Sequence, residues 1–251
     1  MFEKISKCFF LILVIAFQLN INQALATTEL KGIDVDDIAA DRKVFWNGFY
    51  PKGMVAREPS TFSRFLVDEE YVDTGSSVLD VACGNGRDTF FFHELGMRAV
   101  GIDASDEAIA DNLAFAATRG LPADSFQVVD INNAALMATF QTYDQVYARF
   151  FLHSLNEAEQ SKFLDFALGL KPSAKLLLEF RTDKDPMFLR STKISETEGI
   201  TDHYRRFINF EGFLSTLTGR GFEILYSREA DGLSVRGDDN PFLGRIVAKK
   251  L

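Results

Sequence analysis

From residue 77 onward, short apolar runs alternate with stretches of helical spacing. Residues 77–82, 98–103, 126–131, 143–148 and 174–181 are rich in Val, Ile, Leu and Phe and predict strands. Between them, residues 88–95, 105–119, 133–140 and 156–168 carry apolar residues three and four apart and predict helices. Ser105 stands where an N-cap belongs, ahead of an apolar face of Ala108, Ile109, Leu113 and Ala116, and Gly120 closes that helix. A last helix over 209–219 precedes two further strands, 222–228 and 244–250. Strands alternating with helices imply a parallel sheet with right-handed crossovers.

The first strand ends in Asp80-Val81-Ala82-Cys83-Gly84-Asn85-Gly86-Arg87-Asp88. A strand, a glycine turn and a helix start give outward-pointing N–H groups and room for a ligand to lie on the backbone at Gly84 and Gly86. A glycine turn alone fits any doubly wound domain, so the neighbouring strands decide. The second strand ends in Asp103, with Ala104 beside it, and an acid there reaches ribose hydroxyls. The third ends in Asp130 and Ile131, beside an adenine ring. In a dinucleotide fingerprint the third conserved position is small, yet Gly86 is followed by Arg87, Asp88 and Thr89. Asp88 at the helix start would also repel a pyrophosphate. A phosphate-free adenosyl cation, S-adenosylmethionine, suits these acids better than a nicotinamide dinucleotide.

The stretches VLDVACGNGRD, VGIDAS and VVDI resemble motifs I to III of class I S-adenosylmethionine-dependent methyltransferases, in the small-molecule branch with a CGNGRD-type first motif. The usual first glycine is Ala82 here. The resemblance covers residues 76–251 and implies an α/β, Rossmann-like, seven-stranded, mostly parallel sheet with helices on both faces. Its strand seven would run antiparallel between strands five and six. The resemblance also implies an N-terminal helical lid, here residues 27–75. Asp80, Ala82, Gly84 and Gly86 would seat the methionine moiety, Asp103 and Ala104 the ribose, and Asp130 and Ile131 the adenine. Methyl transfer to a small anionic acceptor follows as the expected activity. A nicotinamide-dependent oxidoreductase and a non-catalytic exported binding module of the same fold are the alternatives.

Acceptor-side candidates lie beyond the carboxyl ends of strands four and five. Arg149 follows strand four and is placed to meet the cofactor's carboxylate or an acidic substrate. His153 is an acid/base candidate, or simply the start of a helix. Residues 182–199 form a polar insertion at the functional edge, which commonly covers a site. His203-Tyr204-Arg205-Arg206 follows, and His203 and Arg205 are read either as receiving an anion by bidentate contact or as pairing with surface acids. Trp46 is expected in the core, whereas Tyr50 and Ser60 are open between core and site.

Composition narrows the partners. A net charge of −9 on 251 residues disfavours bulk nucleic acid. No clustered Cys/His set of metal-ligand type occurs. Residues 1–26 carry Lys4 and Lys7, an apolar run and Ala24-Leu25-Ala26, the pattern of a signal peptide or an N-terminal anchor with transient membrane contact. Export and a cofactor made inside cells pull in opposite directions, so localisation stays open between periplasm or medium and cytoplasm. Nothing in the sequence sets the oligomeric state.

Overall fold

The computed structural model describes residues 35–49 and 57–251. Residues 1–26 and Tyr50 lie outside the described residues, and so do their readings as leader, anchor or site. Among the described residues no helix is long and apolar enough to cross a membrane.

Two helices precede the sheet, α1 (Val35–Phe49) and α2 (Thr61–Asp68). The alternating unit then runs β1 (Ser77–Val81), α3 (Arg87–Glu94), β2 (Arg98–Asp103), α4 (Asp106–Thr118), β3 (Phe126–Val128), α5 (Ala134–Ala138), β4 (Gln145–Arg149), α6 (Glu157–Leu168) and β5 (Lys175–Arg181). The polar insertion folds as α7 (Pro186–Arg190) with a small antiparallel sheet of β6 (Thr192–Lys193), β7 (Glu198–Ile200) and β8 (Tyr204–Arg206). Finally α8 (Phe210–Gly219) leads to β9 (Phe222–Ala230) and β10 (Leu243–Lys250).

The main sheet has seven strands in the order β3-β2-β1-β4-β5-β10-β9. The four pairings from β3 through β5 are parallel, and β10 enters antiparallel between β5 and β9, as expected from the sequence. Leu243 at the start of β10 pairs with Arg181 at the end of β5, so the β9–β10 loop is delivered to the sheet's carboxyl edge.

Alternation sorts each strand between two layers. Leu176, Leu178 and Phe180 of β5 join Leu79, Ile246 and Phe213 in one core, whereas Leu177 joins Val78, Tyr147, Val247 and Phe62 in the other. Every residue of β1 is buried, which suits a central parallel strand covered on both faces. The third strand is shorter than its apolar run. Pairing stops at Val128, and Val129 donates instead to the Asp103 carbonyl at 2.9 Å, so Asp130 and Ile131 stand in a loop. Caps fix the helix starts: the Ser60, Ser105 and Asn156 side chains accept from Ser63, Ala108 and Glu159, the last within a reciprocal capping box.

Candidate functional site

The turn after β1 is held by the acids that follow β1 and β2. Asp103 Oδ2 accepts from the Gly84 N–H at 2.9 Å, and Oδ1 from the Ser105 N–H at 2.9 Å. Its pKa is raised, chiefly by burial, with the backbone N–H groups pulling the other way. Each carboxylate oxygen keeps a further lone pair for a ligand hydroxyl. Asp80, only 3% exposed, accepts from Thr89 Oγ1 at 2.6 Å. Burial first, then the Asp88 charge, pushes its pKa well up. Thr89, the residue that spoils the dinucleotide pattern, is thus the hydrogen-bond partner of the strand acid.

Three backbone positions, Ala82, Gly84 and Gly86, carry the turn into the left-handed region. Ala82 has φ +57°, where an L-residue costs roughly 1–2 kcal/mol, and Gly84 has φ +55°. Both line the cavity described below. Gly86 serves otherwise. At φ +71° a Cβ there would come within 2.7 Å of Phe126 and 3.0 Å of Asn112. Gly86 therefore lets the turn close onto α4 and β3, and the expectation that a ligand lies on it is corrected: its free side is filled by protein. Asn112, fully buried, donates to the Gly84 carbonyl at 2.8 Å and locks the same turn.

One cavity of about 680 Å³ opens over the carboxyl edge of β1, β2 and β4, within the size range of ligand pockets. Asp80, Ala82, Gly84, Asp103, Ala104, Asp130, Ile131 and Arg149, all singled out in the sequence, line it. One end is closed by Val129, Ile131 and Met137 around exposed Asp130, whose Oδ1 accepts from the Asn132 N–H at 2.8 Å. The other end is walled by Arg87, Arg149, Phe150, Ser234, Val235 and Arg236. Trp46 and Phe49 of α1 line it too, so Trp46 is a cavity wall as well as a packing residue. Ser60 lines the floor beside Asp88 and Tyr147.

These floor residues form a dense polar network. The Asp88 carboxylate accepts from the Ser60 N–H at 2.7 Å, Ser63 Oγ at 2.8 Å and Tyr147 Oη at 2.8 Å. Tyr147 is held protonated by burial and by the Asp88 charge. Beside it, Glu179 is fully buried and bridges two guanidiniums, Arg149 Nε at 2.8 Å and Arg245 Nε at 2.6 Å. Arg149 also stacks at 4.0 Å over the Phe150 ring, and Phe150 itself sits at φ +55°.

His153, His203 and Arg205 do not line the cavity. His153 is buried, its Nδ1 accepts from the Arg181 N–H at 3.3 Å, and burial with the Arg181 and Arg205 charges drives its pKa well below the histidine range. Arg205 Nη1 binds Asp202 at 2.5 Å and also Thr201. The His203 ring packs against Phe45 at 4.2 Å and Trp46 at 5.1 Å, and burial lowers its pKa to about 4. Its Nδ1 is 3.2 Å from Asp202 Oδ1 without hydrogen-bond geometry. The acceptor-contact expectation for these three is therefore corrected: His153 packs against Arg181 and Phe150, His203 against the aromatic face of α1, and Arg205 pairs with Asp202. Helix α1 is fastened further along by Arg42, which binds Glu159 through both oxygens at 2.6 and 2.9 Å.

A cavity at the carboxyl edge, acids after successive strands and an antiparallel seventh strand all accompany one sequence match. The profile of a methyltransferase domain fits residues 72–197, half of the chain. The chain belongs to the class I S-adenosylmethionine-dependent methyltransferase family.

Known methyltransferases agree with this. A 2-heptyl-1-hydroxyquinolin-4(1H)-one methyltransferase of Mycobacteroides abscessus is 34% identical over 92 residues, which are 35% of this chain and 40% of that protein. The match thus spans less than half of that relative's length. Among solved structures, a SAM-dependent methyltransferase from Methanosarcina mazei superposes with a TM-score of 0.61 at 23% identity, covering 74% of this chain and 97% of that one. The glycopeptide N-methyltransferase MtfA, solved with S-adenosyl-L-methionine, gives 0.56 at 18% identity over 77% of this chain and 95% of its own. At such identities the structural likeness speaks to the fold. The family assignment does not favour the nicotinamide alternative.

S-adenosyl-L-methionine is the methyltransferase cofactor, and the donor set fits it. Asp103 and Asp130 offer lone pairs toward hydroxyls and an amine, Ala104, Val129, Ile131 and Met137 offer apolar surface for a purine, and Asp80 offers a buried carboxylate near a cation. Among the described residues no group of His, Cys, Asp and Glu is arranged to hold a metal ion. Sequence reasoning missed Ser105, Met137, Val235 and Arg236 as cavity residues. For Arg236 a signal existed, because it sits in a Gly- and Asp-rich loop ahead of a strand that topology returns to the functional edge.

Proposed function

We propose that this chain transfers a methyl group from S-adenosyl-L-methionine to a small, anionic acceptor, on oxygen or nitrogen. The observation that carries this reading is the charge pattern of the carboxyl-edge cavity, whose lining combines Asp80, Asp103 and Asp130 with Arg87 and Arg149. When bound, the cofactor supplies a methyl group already activated on a sulfonium. The chain's own residues then have three tasks. Asp103 orients the ribose end, and the apolar slot around Ile131 holds the base. Asp80 favours a cation by Coulomb attraction in a buried setting. Arg149, held by Glu179 and Ser234, positions an acceptor anion so that the two reactants meet in line, an entropic saving that supplies much of the acceleration in two-substrate reactions.

Helix α1 serves in this reading as a lid, with Trp46 and Phe49 excluding water from the reacting atoms. The related quinolinone methyltransferase, by its name, acts on a ring compound, which supports a small-molecule acceptor here. His203 then acts by packing against the lid, beside the Asp202 that Arg205 holds.

Calorimetric titration of the purified full chain with S-adenosylmethionine and S-adenosylhomocysteine tests the cofactor half. Binding of both, weakened more than tenfold by Asp103→Ala, is expected. Equal binding by wild type and variant contradicts the site assignment.

A further inference from the structure

Three guanidiniums converge on the end of the cavity opposite Asp103: Arg87 from α3, Arg149 from β4 and Arg236 from the β9–β10 loop. Two of them have a carboxylate close by. Glu179 is shared between Arg149 and Arg245, through separate oxygens. Asp88 Oδ2 stands 4.0 Å from Arg87 Nε and accepts from Ser60, Ser63 and Tyr147, neutral donors that leave its charge facing Arg87. Arg149 Nη2 donates to the neutral Ser234 Oγ at 2.8 Å. The three cations also feel one another: burial first, then the Arg149 charge, and more weakly Arg236, lower the Arg87 pKa. In a protein of net charge −9, this end of the cavity gathers positive charge.

The apolar surface beside them has a shape as well. Phe150 lies flat under the Arg149 guanidinium at 4.0 Å. Val235, 56% exposed on the hairpin loop, lines the same cavity, as do Trp46 and Phe49. The loop is fixed in place: Arg245 Nη2 donates to the Leu233 carbonyl at 2.7 Å, and Arg181 binds Asp239 at 2.5 Å. Arg236 and Asp239 exchange backbone hydrogen bonds of 2.9 and 3.0 Å, so Arg236 projects from a closed turn.

We infer that Arg87, Arg149 and Arg236 form the anion seat of the acceptor, which carries a carboxylate or phosphate on an aromatic or apolar body lying against Phe150 and Val235. The acceptor's role rests on the methyl-transfer reading; the anion seat itself does not. A competing source of the same chemistry is the cofactor's own carboxylate. The cofactor's carboxylate travels with its own ammonium, and Arg236 is exposed, on a loop that lines the cavity. Guanidiniums bind such groups through paired N–H donors, a fork that a carboxylate or phosphate matches.

The test titrates the full chain with benzoate and with inorganic phosphate, with and without saturating S-adenosylhomocysteine. Wild type is expected to bind at least one probe at millimolar concentration. Arg236→Gln and Arg87→Gln lose at least tenfold, and Arg228→Gln, an exposed arginine of β9, loses nothing. S-adenosylhomocysteine affinity stays within twofold in all three. The seat is overturned if wild type binds neither probe or if the variants bind like wild type. It is overturned equally if the arginine variants lose S-adenosylhomocysteine tenfold while binding 5′-methylthioadenosine normally, because the guanidiniums then belong to the cofactor's carboxylate. Probe binding that depends on the arginines in a protein that takes no S-adenosylhomocysteine leaves the seat standing and removes the methyl-transfer reading instead.

Discussion

The two ends of the cavity are built in opposite ways. The acidic end is made by consecutive pieces of chain: β1, its turn, β2 and the start of α4, all knit by Asp103 and Asn112 to the Gly84 turn. The basic end is assembled from parts far apart in sequence: Arg87 of α3, Arg149 of β4 and Arg236 of the β9–β10 loop. Local construction makes a rigid site with few degrees of freedom. Distant construction makes a site whose shape depends on how separate loops and helices dock, the usual location of specificity on a common fold.

This contrast can be broken first at its rigid end. Gly86→Ala places a Cβ against Phe126 and Asn112 at positive φ, and the combined strain and overpacking should cost about 3 kcal/mol of stability in urea unfolding. An unchanged midpoint would show that the turn relaxes freely.

Next comes the lid helix α1. His203 has a folded pKa of about 4 against an ordinary 6.5, so the unfolded chain takes up a proton that the folded protein refuses. Stability contributed by this group is full above pH 6.5 and is lost as pH falls toward 4, by roughly 2 kcal/mol after allowance for solvent screening. His153, also depressed, acts in the same direction. Trp46 is the single tryptophan, and its ring lies 5.1 Å from His203. Its fluorescence should be quenched near pH 4 and should lose that step in His203→Gln. A quenching step that survives the substitution would detach His203 from the lid.

A smaller effect separates the two ends by charge. The raised Asp80 pKa means that a cation gains affinity as the carboxyl ionises, so S-adenosylmethionine should bind more tightly with rising pH, by up to about tenfold per unit. Asp80→Asn should flatten this profile. A slope kept by the variant would assign the proton elsewhere.

The smallest is Ala82→Gly. Relief of the left-handed alanine, offset by a more flexible unfolded chain, should stabilise the protein by less than about 1 kcal/mol, read by thermal unfolding. A clear destabilisation would mean that the Ala82 methyl packs more usefully than its backbone is strained.

The same contrast explains what the sequence made legible. Strand, turn and acid lie within a few residues of each other, so Asp80, Gly84 and Asp103 could be placed from pattern alone, and the antiparallel β10 followed from the resemblance. Asp130 was found although its strand is shorter than its apolar run, since the acid marks the edge either way. Pattern could not tell that Gly86 is filled by Phe126, because that contact crosses from the turn to β3. Nor could it tell that His203 faces Phe45 and Trp46 across the fold. Composition made His203 and Arg205 conspicuous, but burial and pairing with Asp202 decide their use. Arg236 was passed over because its importance comes from topology, through the return of β10 beside β5.

A co-crystal structure with S-adenosylhomocysteine tests the division of the cavity most directly. The account predicts ribose hydroxyls within hydrogen-bond distance of Asp103, the adenine against Ile131 beside Asp130, and the sulfur directed toward the Arg149 and Phe150 end, with Arg236 making no contact to the ligand. Ribose bound away from Asp103, or an adenine lodged among the three arginines, would contradict it.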